Sequence, residues 1–116
     1  MAVAPTFICV CPIDAVPLNG ALKVELTIAN DARVLAVFNL DGEFYVTDDQ
    51  CTHGPGSLSE GDVLDADIIC NFHGGAFHIP TGRVVEPPCM QALATYAVQV
   101  KDAAVWIDPA PRAAQA

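Results

Sequence analysis

No stretch of this chain sustains a helical period. Its apolar residues come in short runs cut by Gly, Pro, Asn and Asp, the punctuation of an all-β protein. Leu22, Val24, Leu26 and Ile28 alternate with Lys23, Glu25 and Thr27, a period of two that gives a strand one buried and one wetted face. Asn30-Asp31 predicts a turn, Val34 to Leu40 a second, apolar strand, Asp41-Gly42 a tight hairpin and Glu43 to Val46 the returning strand. Phe7 to Val10 reads as the first strand of the chain. Ala94 to Lys101 pairs with Ala103 to Ile107 across Asp102, and Trp106 is expected in the core with the Val, Ile and Leu of the strands.

The middle of the chain breaks this pattern. Between Asp48 and Pro88 the alternation loosens and Gly and Pro accumulate: Gly54, Pro55, Gly56, Gly61, Gly74, Gly75, Pro80, Gly82, Pro87 and Pro88. With 116 residues the chain suits one domain. The expected organisation is an antiparallel β base of about residues 1–47 and 89–108, an inserted subdomain of about 48–88, and a frayed tail, 109–116.

Charge and cysteine count exclude several functions. Five Lys and Arg stand against 14 Asp and Glu, a net charge of −9, and nucleic-acid binding needs the opposite. No run of 18 apolar residues offers a membrane helix, and the first residues lack the basic and apolar regions of a secretory signal. No basic residue lies between Arg33 and Arg83, so Asp48, Asp49, Glu60 and Asp62 form either a solubilising face or one that steers a basic partner. The five cysteines, 9, 11, 51, 70 and 89, are an odd count that argues against a disulfide framework and for a reducing cytoplasm. Cys9 and Cys11, two apart on one strand, read as small buried groups on one face, and Cys89 as loop packing. His78, on a short strand from Ala76 to Ile79, reads as partly exposed and not a ligand.

The chemistry lies in two motifs, Cys51-Thr52-His53 and Cys70-Asn71-Phe72-His73, separated by the sixteen residues Gly54 to Ile69. Each offers a thiolate and an imidazole on a glycine-flanked loop. Two such loops meeting at their tips can give one Cys each to one metal and one His each to another, or all four side chains to a single ion. A structural zinc site uses the same residue types, but its usual spacing, Cys-x₂₋₄-Cys then His-x₃₋₅-His, is not this one.

Cys-Thr-His-Gly followed after fifteen residues by Cys-x-Phe-His-Gly-Gly-Ala-Phe resembles the signature of the Rieske iron–sulfur proteins, and most closely the small ferredoxins of bacterial ring-hydroxylating dioxygenases. Asp41 to Thr47, Ser57 to Gly61, Thr81-Gly82-Arg83 and Pro87-Pro88-Cys89 also match, so the likeness runs over about residues 20–108. Asn71 departs from it, standing where the family usually has Pro, which bears on loop stiffness.

The resemblance implies a Rieske fold and one [2Fe–2S] cluster, with Cys51 and Cys70 on one iron and His53 and His73 on the other. Two ferric ions, two sulfides and two thiolates sum to zero, so an electron enters more readily than into a four-thiolate, dianionic cluster. It also implies a low potential for the class, roughly −150 mV. Respiratory relatives carry an extra Cys pair where this chain resembles them at Gly56 and Phe72, and Ser and Tyr hydroxyls at the positions of Gly75 and Phe77. The implied role is that of a cytoplasmic one-electron shuttle from a flavoprotein ferredoxin reductase to a terminal oxygenase, not itself an enzyme. With three His in all, the chain lacks the ligands for a mononuclear oxygenase iron as well. The alternative is the small subunit of an assimilatory nitrite reductase. On this reading His53 and His73 are the most exposed ligands, and Pro55 and Phe72 give the tip its apolar contact.

Overall fold

Five consecutive side chains, Leu35 to Asn39, are buried, and the fold is arranged around the strand that carries them. The structure, a computed structural model, describes residues 7–28, 30–52, 56–71, 75–86 and 91–111. Strand β3 (Asp31–Leu40) lies inside an antiparallel sheet with β2 (Gly20–Ile28), β4 (Glu43–Asp48) and β9 (Thr95–Tyr96), in the order β2-β3-β4-β9. A strand covered on both faces needs no alternation, which is why this segment reads as a continuous apolar run. Its side chains still alternate in direction. Leu35 and Val37 pack with Val46, Tyr96, Val105 and Ile107, whereas Ala36 and Phe38 pack with Leu58, Ile68, Phe77, Ile79, Leu93, Cys51 and Cys70.

The Asp41-Gly42 turn is the one the sequence predicts, whereas the Asn30-Asp31 turn falls one residue earlier, because Asp31 already opens β3 opposite Ile28. Asp41 and Gly42 take φ of 52° and 93°, the left-handed pair of a two-residue hairpin, and Asn30, at φ 67°, turns β2 into β3. On β2, Lys23, Glu25 and Thr27 face solvent, while Leu22, Val24 and Leu26 lie against the β3 core.

A second sheet has the order β1-β11-β10, with β1 Ile8–Pro12, β11 Ala104–Ile107 and β10 Val98–Lys101. Three expectations change here. Ala94 to Lys101 is not one strand. It breaks at Ala97, whose carbonyl accepts from Asp108 N–H, so that β9 pairs with β4 and β10 with β11. Cys9 and Cys11 do not share a face, because a register shift between them sends Cys9 to solvent and Cys11 into the core. Trp106 is half-buried, not core: its Nε1 donates to the Lys101 carbonyl at 3.1 Å, and Lys101 Nζ lies 5.5 Å from the ring centre.

The loosened middle holds a third sheet, an antiparallel meander of β5 (Asp62–Leu64), β6 (Asp67–Ile69), β7 (Ala76–His78) and β8 (Val84–Glu86). Each strand is three residues long, too short to display a period, and only β7 coincides with an expected strand, Ala76 to Ile79. The chain after β11 is held where fraying was expected: Pro109 accepts from Arg33 Nη1 at 3.2 Å, while residues 112–116 lie outside the described part. Among the described residues no helix is long and apolar enough to cross a membrane.

Candidate metal centre

Cys51 and Cys70 each follow a strand and open loops that close in the same way. The Cys51 N–H donates to the Gly56 carbonyl at 2.9 Å, and the Cys70 N–H to the Gly75 carbonyl at 2.6 Å. The cysteines are 1% and 2% exposed and share one buried cluster with Ala36, Phe38, Leu58, Ile68, Phe77, Ile79 and Leu93. An ionised thiolate in such surroundings is costly unless it coordinates a cation. Two soft donors in one buried cluster, each at the start of a loop closed in the same way, fit a thiophilic metal such as iron. The predicted imidazole ligands His53 and His73 lie outside the described residues, as do Gly54, Pro55, Phe72, Gly74 and Cys89.

The first loop is braced by a buried carboxylate. Asp49, 4% exposed, accepts from Ser57 Oγ at 2.6 Å and from the Ser59 N–H at 2.8 Å. Its backbone is tied on both sides, N–H to the Val34 carbonyl at 3.1 Å and carbonyl to the Leu58 N–H at 2.7 Å. Lys23 Nζ stands 3.9 Å from Asp49 and 3.1 Å from Glu60. These contacts correct the expected acidic face. Asp49 is buried, Glu60 is paired, and Asp48 accepts the Tyr96 hydroxyl at 2.6 Å, which leaves Asp62 as the one exposed carboxylate of the four without an ion pair or hydrogen bond among those described.

The second loop is tied to the first by Asn71, whose Oδ1 accepts from the Ser57 N–H at 3.1 Å. Thr52, beside Cys51, donates its hydroxyl to the Gln91 carbonyl at 2.6 Å and so fastens the first loop to the returning chain. A polar cleft of about 630 Å³ runs past Cys51 and Thr52 between Asp31, Arg33, Asp48, Gln91 and Tyr96. Within it Arg33 Nη1 donates to the Tyr96 hydroxyl at 3.3 Å. Burial and the Asp48 bond push the Tyr96 phenol up to about 12, against the opposing pull of Arg33. Sequence reasoning missed this Arg33–Tyr96–Asp48 chain and the Asp49–Ser57 brace, because both join residues that no local spacing rule connects.

His78 is half-buried with Nδ1 3.2 Å from Asp67 Oδ1, across the β6–β7 pair. Gly75 and Phe77 are buried and bring no hydroxyl to the cysteines. Burial, and then the neighbouring Cys9, raise the Cys11 thiol above its ordinary 9.0.

Comparison with known proteins agrees with this geometry. The Rieske [2Fe-2S] domain family matches residues 6–97. The biphenyl dioxygenase ferredoxin subunit of Pseudomonas sp. strain KKS102 is 44% identical over 104 residues, covering 89% of this chain and 92% of that protein. Among solved structures, the Sphingomonas yanoikuyae B1 ferredoxin superposes with a TM-score of 0.81 at 36% identity, over 90% of this chain and 100% of its own. A chain from the complex of reduced oxygenase and oxidised ferredoxin in carbazole 1,9a-dioxygenase gives a TM-score of 0.81 at 34% identity, over 91% and 95%.

Proposed function

We propose, from the premise that this chain belongs to the Rieske [2Fe–2S] domain family and carries a Rieske-type cluster, that it is the one-electron carrier of a bacterial aromatic-ring dioxygenase system. It takes electrons from a flavoprotein NAD(P)H-dependent reductase in the cytoplasm and passes them to a terminal non-haem iron oxygenase. Cys51 and Cys70 hold one iron, and His53 and His73 the other. When bound, the cluster accepts and releases one electron with no bond made or broken in the protein.

The observation that carries this reading is the pair of matched loops, each opening with a buried cysteine and closed by a backbone bond to a glycine. The chain's own part is to hold two thiolates within one buried cluster of side chains. Phe77 and Gly75 offer no hydroxyl there, and fewer donors leave the reduced state less stabilised, which favours a low potential. The similarity to ferredoxin subunits over most of the chain supports a separate carrier over a nitrite reductase subunit.

The purified protein is expected to be brown, with about two irons and two acid-labile sulfides per chain. Cys51→Ala or Cys70→Ala is expected to abolish the colour, and His78→Ala to leave it unchanged. The carrier purifies alone and is reduced by the reductase of its system. Stoichiometric zinc without sulfide, or co-purification with a sirohaem protein, contradicts the reading.

A further inference from the structure

We propose that Ser57 is a junction through which Asp49 and Asn71 join the two cysteine loops into one unit, so that Asn71 is a positioning residue for both. The inference rests on the reading that Cys51 and Cys70 hold the cluster.

The geometry has three parts. Ser57 immediately follows Gly56, the residue that closes the first loop onto Cys51, and it bridges to Gln50 on the other side of that loop. Its hydroxyl is taken by the buried Asp49 carboxylate at 2.6 Å, and Ser59 Oγ lies 3.2 Å away. Its backbone N–H is taken by the side chain of Asn71, the residue after Cys70 in the second loop. One residue at the exit of the first loop therefore meets the root of that loop through its side chain and the second loop through its backbone.

A bond from Asn71 to a backbone N–H constrains where the second loop sits relative to the first, and not merely the shape of either. A cluster shared between two loops needs that relative placement more than it needs stiffness within each loop. Asn71 is exposed and packs in no core, so an apolar or steric role for it has no support. Among the described residues the amide oxygen of Asn71 links the two loops, backed by the buried carboxylate of Asp49.

The arrangement predicts a graded response. Asn71→Ala removes the acceptor and is expected to speed cluster release to a chelator by about threefold to tenfold, the span of one net hydrogen bond. It is also expected to broaden the electron paramagnetic resonance lines of the reduced protein, as the ligand geometry becomes heterogeneous. Asn71→Asp keeps an acceptor for the Ser57 N–H and is expected to restore both the release rate and the line shape, while its added negative charge lowers the reduction potential. Ser57→Ala breaks the Asp49 side of the junction, and the double variant is expected to be less impaired than the product of the two single effects.

Release measured from protein loaded with iron and sulfide separates the two claims. A wild-type chain that takes up neither iron nor sulfide overturns the proposed function and the junction with it. A loaded Asn71→Ala variant with wild-type release and line shape overturns the junction alone. So do strictly multiplicative effects of Ser57→Ala and Asn71→Ala, or a failure of Asn71→Asp to rescue. Thermal unfolding monitored at Trp106, on the far sheet, shows whether each variant keeps the base intact.

Discussion

Tyr96 illustrates how much one side chain can say about pH. Its ring is buried with Leu35 and Val37, and its hydroxyl donates to Asp48 while accepting from Arg33. Burial, then the bond to Asp48, push its phenol from an ordinary 10.0 up to about 12, so the folded state holds the proton more tightly. The resulting stabilisation is complete below pH 10 and is lost as pH rises through about 12. Wild-type melting temperature is therefore expected to fall across that window, and that of Tyr96→Phe to fall less steeply. At neutral pH the phenylalanine variant is expected to be less stable by about 1 kcal/mol, since Asp48 and Arg33 each lose a partner. Phe77→Tyr is a second test at this scale. It brings a hydroxyl into the buried cluster that holds Cys51 and Cys70 and is expected to raise the reduction potential, read by voltammetry. An unchanged potential would mean that the hydroxyl finds no sulfur.

Among the elements, the short meander leaves no room for a side chain at Gly82. Gly82 has φ +76°, donates to the His78 carbonyl at 2.7 Å and accepts from the Leu93 N–H at 2.8 Å, so it closes β7 toward β8 and fastens the returning chain. A Cβ there would collide with the Leu93 carbonyl oxygen. Gly82→Ala is expected to cost upwards of about 1 kcal/mol in thermal unfolding, through strain and collision together. The sequence contains Thr81-Gly82-Arg83 but not the reason for it. What was legible follows a simple division. β2, β3 and β4 were readable because they are long enough for a period and are joined by Asn and Asp-Gly turns. β5, β6 and β8 were not, because three residues carry no period. The bulge in β1 was invisible because Cys9 and Cys11 look equivalent until a register exists to separate them. At the site, the two Cys-His motifs and the resemblance they carry pointed to Cys51 and Cys70, and the structure adds that both are buried in one cluster. The burial of Asp49 was not, since an aspartate beside another aspartate in an acidic chain reads as surface.

For the molecule as a whole, the corrected electrostatics narrow what charge can do. The net charge is −9, but Asp48, Asp49 and Glu60 are engaged within the fold. Steering of a basic partner then falls to exposed acids such as Asp62 and Asp65. Raising salt from low ionic strength is expected to slow electron delivery to the oxygenase in stopped-flow mixing, with the potential nearly unmoved, because exposed charges are screened within about 10 Å at 0.1 M. Asp62→Lys is expected to slow association in the same way. Asp49→Lys is expected to fail differently, by unfolding the first loop. Salt-insensitive delivery would leave docking to apolar contact.

Strand β3 carries two messages interleaved letter by letter. Its even positions, Ala36 and Phe38, are read by the chamber of the cysteines, and its odd ones, Leu35 and Val37, by the chamber of the far sheet. Substitutions along it should sort by parity: even ones disturbing colour and potential, odd ones melting temperature first. A single inserted residue would do neither selectively. It would transpose the two texts from that point on, handing each chamber the letters meant for the other.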